Sequence, residues 1–282
     1  MNRHAKQSIY FGLFRFCGLL VIASLVILLG YIVSAGIGML SIEFLTEAPR
    51  RGMTQGGIFT PLMGTLYLMV IVMAFSIPVG VFSAVYLVEY QKNRLFGSFL
   101  RIIIGNLAGV PSIVYGLLGL GLFVYFLNFG FSLIAAGLTL GILVLPIVIS
   151  ASREAILAVP PSVREASLAL GATKWQTVRH HVLPYAMPGI LTGIILSISR
   201  AAGETAPILV TGAAFYLPEL PDSLFSEFMA LPFHIYAVAT QTNTGLTGGM
   251  IYGSALVLIM LVVGMNLVAI YIRKKYRAKY KW

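Results

Sequence analysis

Six long apolar runs, at residues 16–40, 62–88, 102–129, 131–150, 185–212 and 250–272, constrain this chain more than any other feature. Each is long enough to cross a hydrocarbon core, which needs about 20 helical residues. In lipid the backbone must satisfy its own hydrogen bonds, so such runs are expected to be helices. With 59% of its 282 residues hydrophobic and 10% charged, the chain has little left from which to build a water-soluble domain. The expected fold is all-α and integral to the membrane, with six transmembrane helices. The third and fourth runs nearly touch at residues 128–130, which predicts a tight hairpin. The fifth is the least apolar and contains charge.

Orientation follows from where Lys and Arg sit beside the spans. If the N-terminus is cytoplasmic, six spans return the C-terminus to the same side. The inner segments then hold most of the cations, including Arg3, Lys6, Arg15, Lys92, Arg94, Arg101, Arg153, Arg164, Lys174, Arg179 and the tail from Arg273 to Lys281. Of the loop cations, Arg50 and Arg51 fall outside, among Glu43, Glu47, Glu219, Asp222 and Glu227. The net charge of +10 is thus a topology signal, and nucleic-acid binding is not needed to explain it. The tail could also touch anionic lipid. Val33-Ser34-Ala35 resembles a cleavage site, but a signal peptide's apolar region has about 7–15 residues, so the first run is read as a retained helix. Cys17, the single cysteine, excludes an internal disulfide and is read as a small buried hydrophobe.

One segment does not read as membrane. Pro160-Pro161 ends what precedes it, and Ser162-Val163-Arg164-Glu165 has the S-x-x-E form of a capping box, which predicts a helix start. Gly171 suits the left-handed residue that closes a helix. Thr173-Lys174-Trp175-Gln176 repeats the box as T-x-x-Q, predicting a second short helix that ends near Val182, before Pro184. Helices this short need burial to persist. The first offers Val163, Ala166 and Leu170 on one face, and the second Trp175, Val178 and Val182. Two readings stand at this point: a docking surface for another protein, or a linker lying on lipid headgroups. The charge pattern, which topology already accounts for, argues against a DNA-binding helix-turn-helix.

These residues resemble a known family. Glu165-Ala166-Ser167, three residues, Gly171, nine residues and then His181-Val182-Leu183-Pro184 is similar to the EAA loop of ATP-binding-cassette importer permeases, with Ser167 and His181 departing from its Ala and Ile. The stretches GGIFTPLMGTLYL, VYLVEY, LAGVPSIVYGLLGLG, AVPPSVREASLALGATKW and SRAAGETAPILVTG narrow the resemblance to the phosphate branch, PstA type. The resemblance implies a type I importer permease core of five helices at residues 62–282 behind a first unit at 1–61, with a coupling loop at 160–184. It implies that Glu165, Ala166 and Gly171 serve ATPase coupling. It further implies a homologous second permease chain, separate ATPase subunits that hold ATP and Mg, and a periplasmic or extracellular phosphate-binding protein that docks on the outer side. No G-x-x-x-x-G-K-[ST] occurs, so the chain has no P-loop of its own.

Arg200 and Glu204 lie inside the fifth run, where a charge costs about 2.5–3.5 kcal/mol on insertion scales and so calls for a cavity or a partner. At i and i+4 they can pair. The planar fork of arginine matches a phosphate's oxygens. Arg200 is the candidate for an anion path, with Glu204 tuning it; a purely structural ion pair is the alternative. Pro78, Pro111, Pro188 and Pro207 are expected to kink spans. Asn106, Ser112 and Tyr115 could face the path or bond between helices. Gly105/Gly109, Gly137/Gly141 and Gly189/Gly193 permit close helix contact. His180 and His181 are adjacent, so they do not form an i, i+4 ligand pair, and no metal site or catalytic set can be assembled. The outer segment at residues 213–249, with three prolines and a Thr/Gly-rich end, is expected to be a connection.

The reading is a permease subunit of an ATP-driven phosphate importer, without cofactor or enzymatic chemistry of its own. Sulfate or molybdate could replace phosphate. A gradient-driven secondary transporter, or a membrane scaffold, would be a different class of protein.

Overall fold

In the computed structural model residues 3–240 and 244–279 are described. Among these residues twelve α-helices follow one another: α1 (Arg3–Gly36), α2 (Ile42–Thr46), α3 (Phe59–Val85), α4 (Arg94–Leu107), α5 (Ser112–Gly119), α6 (Leu133–Leu157), α7 (Pro161–Ala169), α8 (Lys174–Thr177), α9 (Leu183–Gly203), α10 (Ala206–Leu209), α11 (Leu231–Ala239) and α12 (Thr244–Lys279). A two-residue ribbon before α3 pairs Pro49 with Gly56 and Arg50 with Gln55.

Among the described residues, five helical stretches are long and apolar enough to cross a membrane: Tyr10–Met39, Phe59–Tyr90, Leu133–Leu157, Lys174–Gly203 and Gly248–Lys279. They correspond to five of the six apolar runs. The third run is not one straight span. α4 and the helix at Ser112–Phe126 meet at 103°. Pro111 causes the break, since it lacks an N–H and disfavours helical backbone at Val110. α4 is amphipathic and starts upstream of the run, with Asn93 Oδ1 accepting from the N–H groups of Leu95 and Phe96 at 3.0 and 3.3 Å.

α6 lies at the centre, with α3 and α9 against it, α12 against α9, and α1 against α12. Small residues bring these helices together, as is common in lipid. A Cβ on Gly137 or Gly141 would meet Ile71 or Phe75 of α3, and one on Gly189 or Gly193 would meet Ala155 or Ala151 of α6. Gly105 and Gly109 make no such contact with another helix. The expected hairpin is present, with Asn128 and Gly130 at φ +55° and +66°. Ser132 Oγ then caps α6 at Ala135 N–H, 3.3 Å.

Two expectations fail in the second half. The fifth run leaves the helix after Gly203: Glu204 is extended, and α10 follows as a separate turn with Pro207 and Ile208 buried. The outer segment is more than a connection, because Phe228, Met229, Ala230 and Leu231 are fully buried. Leu231 N–H donates to Thr65 Oγ1 at 2.8 Å, and Gly64 is so close that a Cβ there would lie 2.0 Å from Met229 O. The segment is a plug seated on α3, and its apolar residues, not its prolines, decide its place.

α1 has exposed large apolar side chains on every side, including Phe14, Leu19, Val26 and Ile27, and Cys17, expected to be buried, is exposed among them. A helix apolar all round and uncovered by its own chain belongs in lipid or against another membrane chain. It docks on α12 where Gly36 meets the Tyr252 backbone and the Tyr31 and Tyr252 rings pack edge to face at 5.3 Å.

Candidate functional site

The segment at residues 160–184 forms the expected pair of short helices, with differences at both ends. α7 starts at Pro161 after Pro160, and no side chain caps it. A proline at the first helical position has no N–H to satisfy and is already at helical φ, so Ser162 is not needed as a cap. Gly171 sits at φ +82°, the left-handed closure expected of it. The Thr173 box is complete: Thr173 Oγ1 accepts from Gln176 N–H at 3.3 Å, and Gln176 Oε1 from Thr173 N–H at 2.8 Å.

α8 does not stop before Pro184. A π turn at Val178–Val182, in which Leu183 N–H bonds to Val178 O, carries the helix past the proline and into α9. The result is one continuous rod from Lys174 to Gly203, about 45 Å long at 1.5 Å per residue.

The buried face of α7 also differs from the expected one. Val163 is half-buried and Ser167 buried, whereas Glu165, Ala166 and Leu170 are exposed. The cause is a bond that sequence spacing does not disclose: Ser167 Oγ and Thr177 Oγ1 lie 2.9 Å apart in the interior of the loop. The serine that departs from the EAA pattern therefore clasps α7 to α8. Leu170 at 90% exposure, Leu168 and Trp175 are left as an uncovered apolar patch beside Gly171. His181 is exposed and does not disturb the packing of Val178 and Val182.

At the other end of the rod, Arg200 Nε lies 3.3 Å from Glu204 Oε1. The pair forms across the helix end, because Glu204 is already outside α9. Leu196, Arg200 and Gly203 make one exposed stripe, turned away from the chain's own core. An apolar cavity of about 650 Å³ lies between α3, α9 and α12, lined by Met73, Phe82, Ile194 and Met265 among others, and includes neither charged residue. The chain does not bring Arg200 into that cavity. It presents that residue on an open face.

Of the other polar candidates, Tyr115 is buried and its OH donates to Leu107 O at 2.8 Å, bridging the break between α4 and α5. Asn106 is exposed. Sequence reasoning missed Asn266, which ties α12 to α9 beside Arg200 by donating to Ser199 Oγ at 2.8 Å. An asparagine inside an apolar run is a signal that could have found it. It also missed His234 of α11, 1% exposed with neither ring nitrogen bonded. Among the described residues no group of three His, Cys, Asp or Glu could hold a metal.

A bundle of apolar spans, with a helix-loop-helix at one end and a charged pair on an open face, describes a membrane component that works with other chains. The chain belongs to the family of binding-protein-dependent transport system inner membrane components, which it matches over residues 76–278. It is 34% identical over 281 residues to the probable ABC transporter permease protein YqgI of Bacillus subtilis, covering 95% of both chains. It is 41% identical to the phosphate transport system permease protein PstA 1 of Mycobacterium tuberculosis, over 77% of this chain and 71% of that one. A bacterial ABC transporter involved in the import of the acidic polysaccharide alginate has the same fold, with a TM-score of 0.61 at 12% identity over 97% of this chain and 99% of that chain. The chain is thus a multi-pass membrane permease component with the type I importer core.

Proposed function

We propose that this chain supplies one half of the membrane path of an ATP-driven phosphate importer and carries the helices through which a separate ATPase moves that path. The observation that carries the proposal is the unbroken rod from Lys174 to Gly203. One end bears the exposed patch around Gly171 and the other bears Arg200. The two ends lie on one continuous helix, so a displacement imposed at the first is passed along it toward the second. The PstA relatives support phosphate as the cargo, and the guanidinium of Arg200 suits a tetrahedral oxyanion.

In this reading Glu165, Ala166 and Gly171 meet the ATPase, which holds the ATP and Mg. Arg200 contacts phosphate in transit, and Glu204 limits how tightly it is held. A second, homologous permease chain covers the open face of α9, and a phosphate-binding protein docks at the end where α11 lies. Residues 1–61 form a first unit beside the permease core at 62–282, and both termini face the cytoplasm, as the Lys and Arg distribution indicates. No nucleic acid takes part.

The test is uptake of labelled phosphate by cells lacking this chain and complemented with wild type or Arg200→Gln, with excess sulfate or molybdate as competitors. The proposal expects wild type to restore uptake that the competitors leave intact, and the variant to assemble without restoring it. Normal uptake by the variant would remove Arg200 from the path. Competition by sulfate or molybdate would reassign the cargo.

A further inference from the structure

Glu89 lies in the π turn Tyr86–Tyr90 that ends α3, and its side chain is 9% exposed. Arg164, in the first half of α7, donates through Nε to Glu89 Oε1 at 2.9 Å. Its Nη1 donates to Val159 O at 2.7 Å and its Nη2 to Ile156 O at 2.8 Å. Ile156 is in the last turn of α6 and Val159 lies just beyond it. The final carbonyls of a helix have no partner within it, so the guanidinium caps α6 while it pairs with α3. One side chain of the loop thus holds the ends of two spans. Lys174, at the start of α8, closes on the same residue from the other side: its Nζ bonds to Glu89 O and lies 5.1 Å from the Tyr90 ring centroid.

We propose that Glu89 and Arg164 form a positioning pair that makes the α7–α8 loop move as one body with the ends of α3 and α6, so that a push on the loop reaches three spans together. This rests on the coupling role assigned to the loop above. Without the pair, the push enters the bundle through the α9 rod alone. Arginine is required, because a lysine ammonium has no fixed fork with which to hold a carboxylate and two carbonyls in three directions. Neither residue touches phosphate or ATP. The pair sets how much transport each ATP turnover produces.

The experiment uses the full complex with its ATPase subunits and phosphate-binding protein in proteoliposomes, measuring inorganic phosphate uptake and ATP hydrolysis in the same vesicles. Glu89→Gln and Arg164→Lys are expected to retain the ATPase subunits on purification. Each is expected to lower phosphate taken up per ATP about tenfold, within the usual range of coupling between sites. A Glu89→Cys/Arg164→Cys double variant, in a Cys17→Ser background, is expected to be equally uncoupled and to regain coupling when a bis-methanethiosulfonate reagent bridges the two thiols. Wild-type uptake per ATP in both single variants would overturn the proposal. So would failure of every variant to assemble, which would make the pair a folding element, or failure of the bridge to restore coupling. Absence of ATP-driven phosphate uptake in the wild-type complex would instead overturn the function on which the proposal rests.

Discussion

At the residue scale, one exposed and one buried polar group illustrate what an apolar chain keeps and why. Arg200 is legible in the sequence because a cation inside a long apolar run stands out, and its pairing with Glu204 follows from their spacing. That α9 stops at Gly203 is not legible, since residues 205–212 continue almost without charge. His234 is hidden for a different reason: it sits in a proline-flanked stretch that reads as a loop. Burial without a hydrogen-bond partner lowers its pKa from 6.5 to about 4. α11 is too short to span a bilayer. Between those two pH values the unfolded chain binds a proton that the folded chain does not. Stability gained from this histidine is therefore complete above about pH 6.5 and is lost as pH falls toward about 4, by up to about 3 kcal/mol. Thermal unfolding in detergent should show a midpoint that drops through this window, with a smaller drop in His234→Phe. Equal drops in both proteins would assign the pH dependence to other groups.

At the element scale, local signals locate helices well and their contacts poorly. The Thr173 box and the Gly171 closure are read from a few adjacent residues and are present as expected. The clasp between Ser167 and Thr177 joins two helices across a turn, ten residues apart, and the pair between Glu89 and Arg164 spans 75 residues, so neither lies within the pattern of one helix. The continuity of α8 with α9 is missed because proline is read as a stop, whereas a π turn before it absorbs the missing donor. Two substitutions test these elements. At Gly171, φ is +82° and a Cβ meets nothing within 4 Å, so Gly171→Ala pays only the backbone penalty of about 1–2 kcal/mol. It should loosen the turn and reduce stimulation of the ATPase by transport substrate without affecting insertion in the membrane. Gly64→Ala faces the Met229 carbonyl, which cannot withdraw without unseating the plug, and should lower stability by about 1–3 kcal/mol in detergent. Limited proteolysis between residues 213 and 230 would report whether the plug has detached, and unchanged resistance would contradict its seating on α3.

At the scale of the whole molecule, the fold class is legible from six apolar runs, with the 103° break in the third as the main departure. The chain offers three incompletely covered surfaces: an ion pair on an open face of α9, an outer helix α1 with little of its own chain around it, and an apolar patch on the loop at the opposite end of the rod. Each of these surfaces calls for another chain, and in the proposed importer a separate subunit hydrolyses the ATP. The measurement that bears most directly on this account is labelled phosphate uptake into proteoliposomes holding either this chain alone or the full complex with its second permease chain, ATPase and binding protein, each with and without ATP. The account predicts uptake by the full complex in the presence of ATP, and none by the single chain under any gradient. Uptake by the single chain, indifferent to ATP, would contradict it and make the protein a gradient-driven carrier.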